Sequence, residues 1–176
     1  MLVARSKGID LTATGSGNTG ATNVYRIMGK SYGIFVFLMD FLKGMIPVSL
    51  AMNNLHSPIL IMLCGAAAIG GHMFSPFLNF KGGKGVATGL GVVFAIAPFL
   101  FLLSFVLGIF IIVLTGYVSL ASVTGSILLA MLMFTTDKPA AFSWGILLLV
   151  IMIIYKHIPN IKRLIKGTEN KISWKN

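Results

Sequence analysis

Six apolar runs, residues 32–52, 59–71, 86–97, 99–115, 117–134 and 140–155, take up most of this 176-residue chain. In lipid the backbone polar groups must bond within their own segment, so such runs are read as helices. A soluble domain carries roughly a quarter charged residues. Here charged residues are 10% and apolar residues 56%. The expectation is an all-α, polytopic integral membrane protein of about six transmembrane or half-membrane helices, forming one domain over residues 1–176. Runs 59–71 and 86–97 are short for a perpendicular span. Short helices between glycine-rich loops predict a cavity at one membrane face.

Charge sets the orientation. With six helices both ends of the chain share a side with the central loop and Gly116. That side holds Arg5, Lys7, Arg26, Lys30, Lys81, Lys84 and the cations of the tail, whereas the opposite loops hold only Lys138. The positive-inside rule places the cation-rich face in the cytoplasm. The net charge of +10 comes from fourteen Lys and Arg against Asp10, Asp40, Asp137 and Glu169. In so apolar a chain it points to membrane lipid or an anionic substrate and away from nucleic acid. Asp40 and Lys43 lie three apart inside a membrane run and share a helix face, so they pair; a structural pair and a direct role near the headgroups both stay open. The lone cysteine, Cys64, sits among small residues and reads as packing.

Two loops carry the polar chemistry. In the central loop Lys81, Gly82, Gly83, Lys84 and Gly85 put two cations among three glycines ahead of a helix start near Val86. Such a loop can turn backbone N–H groups onto an anion, aided by the positive end of the helix. A plain solvated turn with a positive flank is the competing reading. It is not a Walker A loop, because Gly85 follows Lys84 and Leu78 stands where the first glycine belongs. The N-terminal loop spans residues 15–23 and is followed by Arg26. Gly15, Gly17 and Gly20 match G-x-G-x-x-G, yet no strand precedes them, so a dinucleotide site is rejected. What survives is a second backbone nest with Ser16, Asn18, Thr22, Asn23 and Arg26 as polar partners.

In the tail Ile158, Ile161, Leu164 and Ile165 recur at helical spacing among bases, which predicts an amphipathic segment lying on the membrane surface. Arg26, Lys81, Lys84 and Arg163 on one face could then hold two anionic groups beside an apolar slot. Phosphate-centred acyl transfer needs little beyond alignment and charge stabilisation. His56, His72 and His157 are dispersed, so no metal site is expected. No cofactor is expected either.

The stretches Gly-Ser-Gly-Asn-x-Gly-Ala-Thr-Asn-x-x-Arg at 15–26, Gly-His-x-Phe-Ser-Pro-Phe-x-x-Phe-Lys-Gly-Gly-Lys-Gly-Val-Ala-Thr at 71–88 and His-x-x-Asn-Ile-x-Arg-Leu-x-x-Gly-x-Glu-Asn at 157–170 resemble the three signature motifs of the bacterial PlsY family. These are membrane acyl-phosphate:glycerol-3-phosphate acyltransferases. The resemblance implies transfer of a fatty acyl group from acyl phosphate to sn-glycerol 3-phosphate, giving 1-acylglycerol 3-phosphate and phosphate in phospholipid biosynthesis. It also implies a functional link to PlsX, which makes acyl phosphate. Ser16, Arg26, His157 and Asn160 would hold or orient glycerol 3-phosphate, and Lys81, Gly82, Gly83, Lys84 and Gly85 would cradle phosphate. Gly15, Gly17, Asn18, Gly20, Thr22, Asn23, His72, Ser75, Thr88, Arg163 and Glu169 complete the implied binding set. The proton acceptor is His157 or the departing phosphate, with substrate-assisted transfer favoured because no carboxylate–histidine pair is evident. The family has seven membrane helices, one ahead of the first motif. The resemblance therefore implies one of two things: Met-Leu-Val-Ala-Arg is the cytoplasmic end of that helix and Met1 an internal start, or the chain is a shortened member lacking the helix. The alternative is a non-catalytic lipid- or phosphate-binding protein, or an organophosphate carrier, on the same scaffold.

Overall fold

The computed structural model describes residue 4 and residues 6–172. Apart from Ala4, the Met-Leu-Val-Ala-Arg run expected to end a helix lies outside them. Among the described residues there are seven α-helices and one 3-10 turn: α1 Ala21–Met28, α2 Lys30–Asn54, α3 Pro58–Met73, the turn Pro76–Leu78, α4 Val86–Ile96, α5 Pro98–Thr115, α6 Val118–Met133 and α7 Ala140–Ile165. The segments Lys30–Asn54, Pro58–Leu78, Pro98–Thr115 and Ala140–Ile165 are long and apolar enough to cross a membrane, and α4 and α6 are apolar but shorter. The six expected apolar helices are therefore present, with α1 as an unexpected addition.

The breaks follow from residue chemistry. Pro58 and Pro98 occupy first-turn positions, where a missing N–H leaves nothing unpaired. Gly116 takes φ 77°, a left-handed conformation that closes α5. Pro159, by contrast, does not end α7. The separate surface segment expected after residue 155 is thus corrected: residues 156–165 continue the last membrane helix. One missing N–H at Pro159 is offset by burial of Ile153, His157 and Asn160 along one face.

Helix α4 is the centre of the bundle and packs against α2, α3, α5 and α7. Its contact with α2 is the closest. A Cβ at Gly44 of α2 would collide with the Thr88 carbonyl oxygen of α4, and a Cβ at Gly91 of α4 would collide with the Phe41 carbonyl oxygen of α2. Each helix offers a glycine to the other's backbone, the small-residue packing that brings membrane helices together. Phe41 then stacks toward Phe94 and Phe101, with ring centroids 5.7 and 5.6 Å away, tying α2, α4 and α5. Val48, Ile69, Val92, Ile96, Met133 and Ile146 fill the core between the remaining helices. Large apolar side chains such as Phe99, Val113 and Leu114 face outward, as lipid contact requires.

Substituting Gly91 by valine should therefore destabilise the detergent-solubilised protein by about 1–3 kcal/mol, the usual range for overpacking. Gly70→Ala is the control, because nothing lies within 4 Å of a Cβ placed there. Thermal unfolding of the two variants beside the parent checks this.

Candidate functional site

The N-terminal loop is organised by one side chain. Asn23, in the first turn of α1 and 1% exposed, accepts the Ser16 N–H at 2.9 Å and donates to the carbonyls of Leu11, Thr14 and Asn18 at 3.2, 3.1 and 2.8 Å. Gly15, at φ 62°, lies so close to Asn23 that a Cβ would overlap its amide oxygen. Asn18 accepts the Gly20 N–H at 2.8 Å. Asn18 and Asn23 therefore hold the loop in shape, while Ser16, Thr22 and Arg26 line the cavity it encloses.

The central loop is laid against the end of α3. Gly82 donates its N–H to the Met73 carbonyl at 3.1 Å, and Gly85, at φ 80°, turns the chain into α4. Between them Lys84 reaches across the site, donating from Nζ to Asn160 Oδ1 at 2.7 Å.

The third motif supplies the far wall. His157 and Asn160 are 2% and 5% exposed on the inner face of α7. The Ile153 carbonyl lies 2.8 Å from His157 Nδ1 and can only accept, so Nδ1 carries the proton and Nε2 is the ring's acceptor. Beyond α7 the chain turns at Gly167, φ 68°, and runs back to the Gly116 turn, where Ile172 N–H bonds the Gly116 carbonyl at 2.8 Å. That return brings Glu169 inward. Its Oε1 accepts Asn160 Nδ2 at 2.6 Å and the Ser119 hydroxyl at 2.8 Å, and its Oε2 accepts Arg163 Nε at 2.7 Å. Lys84, Asn160 and Glu169 thus form a continuous chain, with Ser119 and Arg163 joined to the carboxylate.

The electrostatics follow the burial. Desolvation, aided by the neighbouring Arg163 and Arg26 charges, overcomes the pull of Glu169 and lowers Lys84 to about 8. Arg26 is lowered as well, by burial first and Arg163 second, against Glu169. Burial pushes the Glu169 carboxyl up, but hydrogen bonds from Asn160, Ser119 and Arg163 outweigh it and hold the group below the usual carboxylate range. Cations held in a partly dry pocket attract an anion strongly.

A polar cavity of about 140 Å³ lies among these groups. It gathers Ser16, Asn18, Gly20, Thr22, Asn23 and Arg26 from the first motif, His72, Lys84 and Gly85 from the second, and His157, Asn160 and Glu169 from the third. A second cavity, also about 140 Å³, is almost wholly apolar and runs between α4, α5, α6 and α7. The two share Phe37, Val86, Val118 and Ser122 as walls.

Other implied residues are not in the polar cavity. Lys81 is exposed and lines a separate cleft with Gly17 and Phe77. The Ser75 carbonyl accepts Leu78 and Phe80 N–H at 3.0 Å each, closing the turn. Thr88 is fully buried in α4, its carbonyl against Gly44, and its hydroxyl has no hydrogen-bond partner among the described residues. Gly15, Gly82 and Gly83 shape the backbone, and Arg163 reaches the site through Glu169. Asp40 does pair with Lys43, 2.7 Å from Oδ1 to Nζ, but the same oxygen also lies 3.5 Å from His72 Nδ1. A carboxylate–histidine pair is therefore present, contrary to the sequence reading, because residues 32 positions apart meet across two helices. Ser119 and Ser122, two polar residues opening an otherwise apolar run, also line the cavity.

A cationic pocket beside an apolar cavity in a helical membrane bundle places the protein among membrane proteins with a polar site at the edge of the apolar bundle. Comparison with known proteins makes the class specific. The family model described as glycerol-3-phosphate acyltransferase matches residues 1–167. The glycerol-3-phosphate acyltransferase of Aquifex aeolicus (strain VF5) is 44% identical over 171 residues, which cover 97% of this chain and 89% of that protein. The namesake protein of Geobacter sulfurreducens is 41% identical over 171 residues, covering 97% and 88%. Crystal structures of PlsY, described as an integral membrane glycerol 3-phosphate acyltransferase, superpose closely. Its glycerol 3-phosphate form gives a TM-score of 0.94 at 44% identity, over 98% of this chain and 86% of that one. Its lysophosphatidic acid form gives 0.91 at 43% identity, with the same coverage. The chain belongs to the glycerol-3-phosphate acyltransferase family.

The lowered Lys84 gives a pH test. An ammonium near 8 is charged below that value and is lost above it. If Lys84 holds substrate charge, kcat/KM should be flat on the acid side and fall tenfold per unit above about pH 8. In Lys84→Arg, which keeps its charge, this limb should disappear from the range up to about pH 10. Initial rates across that range decide it.

Proposed function

We propose that the protein transfers a fatty acyl group from acyl phosphate to sn-glycerol 3-phosphate at the cytoplasmic face of a bacterial cell membrane, releasing 1-acylglycerol 3-phosphate and inorganic phosphate. The observation that carries this reading is the shared wall: Phe37, Val86, Val118 and Ser122 belong both to a pocket holding Lys84 and Arg26 and to an apolar groove. An acyl phosphate has that shape, a phosphate joined to a long apolar tail. Glycerol 3-phosphate supplies the second anion and the hydroxyl.

The chemistry then needs few groups. The glycerol hydroxyl oxygen attacks the acyl carbonyl carbon, the bond from that carbon to the phosphate oxygen breaks, and the phosphate leaves with the electron pair. Lys84 and the positive end of α4 stabilise that charge, aided by a backbone turned inward at Gly85. Arg26, with Ser16 beside it, holds the glycerol phosphate. His157, with Nδ1 committed to Ile153, offers Nε2 to orient the hydroxyl. The departing phosphate takes the proton. Asn160, held from one side by Glu169, keeps Lys84 aimed. The cation-rich loops support a cytoplasmic face. Acyl phosphate would come from a separate enzyme of the PlsX type.

Incubation of the purified protein with palmitoyl phosphate and radiolabelled glycerol 3-phosphate tests the reading. Labelled lysophosphatidate together with stoichiometric phosphate is the expected result; uptake of glycerol phosphate into vesicles without donor consumption would instead indicate a carrier. In the same assay Lys84→Ala should lower kcat/KM by about 10²–10³. His157→Ala should lower it by at least about 10-fold with normal membrane insertion.

A further inference from the structure

Lys84 is a flexible side chain on a glycine-rich loop, and such a loop does not by itself hold an ammonium in one place. The structure shows what it rests on. The His72 imidazole, on the last turn of α3, lies directly beneath Gly83: a Cβ there would overlap Nε2 and stand 2.8 Å from Cε1 and 3.2 Å from Cδ2. Gly82 is pressed as closely to the His72 and Met73 carbonyls and is bonded to the latter. On its other side the imidazole faces Asp40, 3.5 Å from Nδ1 to Oδ1. Asp40 is 5% exposed in the middle of α2, although Lys43 extends from it to an ammonium-bearing side chain that is 58% exposed. An ion pair made only to steady α2 could be completed by Lys43 alone. The position of Asp40 within reach of the ring is left to be explained by what the ring supports.

We propose that Asp40 and His72 are positioning residues for Lys84: Asp40 fixes the imidazole, the imidazole seats Gly83, and that seat directs Lys84 to Asn160. The sequence of contacts is Asp40 to His72, His72 to Gly83, and Lys84 to Asn160 at 2.7 Å. Gly83 is required because the ring approaches it more closely than any Cβ permits, and Gly82 because the His72 carbonyl does the same there. Neither Asp40 nor His72 need touch the reacting atoms. Their effect lies in turnover, since a misplacement of about 1 Å at the reacting group can lower rates about 100-fold. This inference rests on the proposed acyl transfer.

The test is a set of double-mutant cycles in the palmitoyl phosphate assay. Asp40→Asn and His72→Ala should each lower kcat by about 10- to 100-fold while KM for glycerol 3-phosphate changes less than about threefold. Asp40→Asn added to His72→Ala should cost less than about a further twofold, because the ring through which it acts is gone. Gly83→Ala should cost at least about tenfold in the parent but less than about twofold in His72→Ala, where its clash is relieved. Additive losses in both cycles would overturn the proposal. A rise in KM with unchanged kcat would do so as well, making His72 a substrate ligand. The Gly83 cycle decides the matter if Asp40→Asn does not insert. An inactive parent protein would refute the proposed reaction; hydrogen exchange at residues 81–86 then reads the seat alone, with acceleration in His72→Ala expected and unchanged exchange overturning it.

Discussion

The backbone contact between α2 and α4 fixes the end of the bundle that carries the polar cavity. Gly44 and Gly91 let each helix touch the other's carbonyls, so the two axes have little freedom to slide. One turn before Gly44 stands Asp40, and immediately before α4 stand Gly83, Lys84 and Gly85. The contact that stabilises the bundle therefore also sets the distance between a buried carboxylate and the loop that carries Lys84. His72, delivered by α3, fills the interval. Membrane helices gain little from burying apolar surface against one another, since lipid is equally apolar. Close packing and polar bonds must do that work, and here the same glycines that allow the packing hold the site.

Helix length explains the depth of the pocket. At about 1.5 Å per residue, the 11 residues of α4 span roughly 17 Å and the 16 of α6 roughly 24 Å, both less than a hydrocarbon core of about 30 Å. Val86 and Val118 are the first residues of these two short helices, and both line the polar and the apolar cavities. The site is thus a recess where two helices start late. The longer α2 and α7 rise on either side and provide Asp40 and Asn160. Such a recess sets a polar pocket directly beside an apolar one, with shared walls.

The apolar runs were legible because hydropathy does not depend on which neighbours a helix meets. The two glycine-rich loops stand out in the sequence because charged and polar residues set them apart from the apolar runs. What escaped was set by distance in sequence. Asp40 and Lys43 show their pairing by a three-residue interval, whereas His72 joins them only after α2 and α3 have folded back. α1 is eight residues behind Gly20, with no side chain capping it, and its stability comes from burying Asn23 and Val24 instead of from local propensity. The basic, amphipathic stretch after Tyr155 suggested a separate surface segment, where burial of His157 and Asn160 carries the last helix on. Lys81 and Lys84 look equivalent in the sequence, yet a difference of three positions around a tight turn sends one to the surface and the other to Asn160.

Glu169 illustrates how a basic site stays folded. Lys84, Arg26 and Arg163 brought together without a counter-charge would repel one another through a partly dry interior. Glu169 supplies that charge, but with its oxygens occupied by Asn160, Ser119 and Arg163 it makes no direct bond to Lys84. It acts on Lys84 through the Asn160 amide, which accepts from the ammonium on one side and donates to the carboxylate on the other. A direct Lys–Glu pair would engage the ammonium with the carboxylate itself. The intervening amide relieves the repulsion while leaving the ammonium two further protons to donate. That arrangement depends on residues 166–172 folding back onto the Gly116 turn, so this stretch belongs to the site as fully as the glycine loops do.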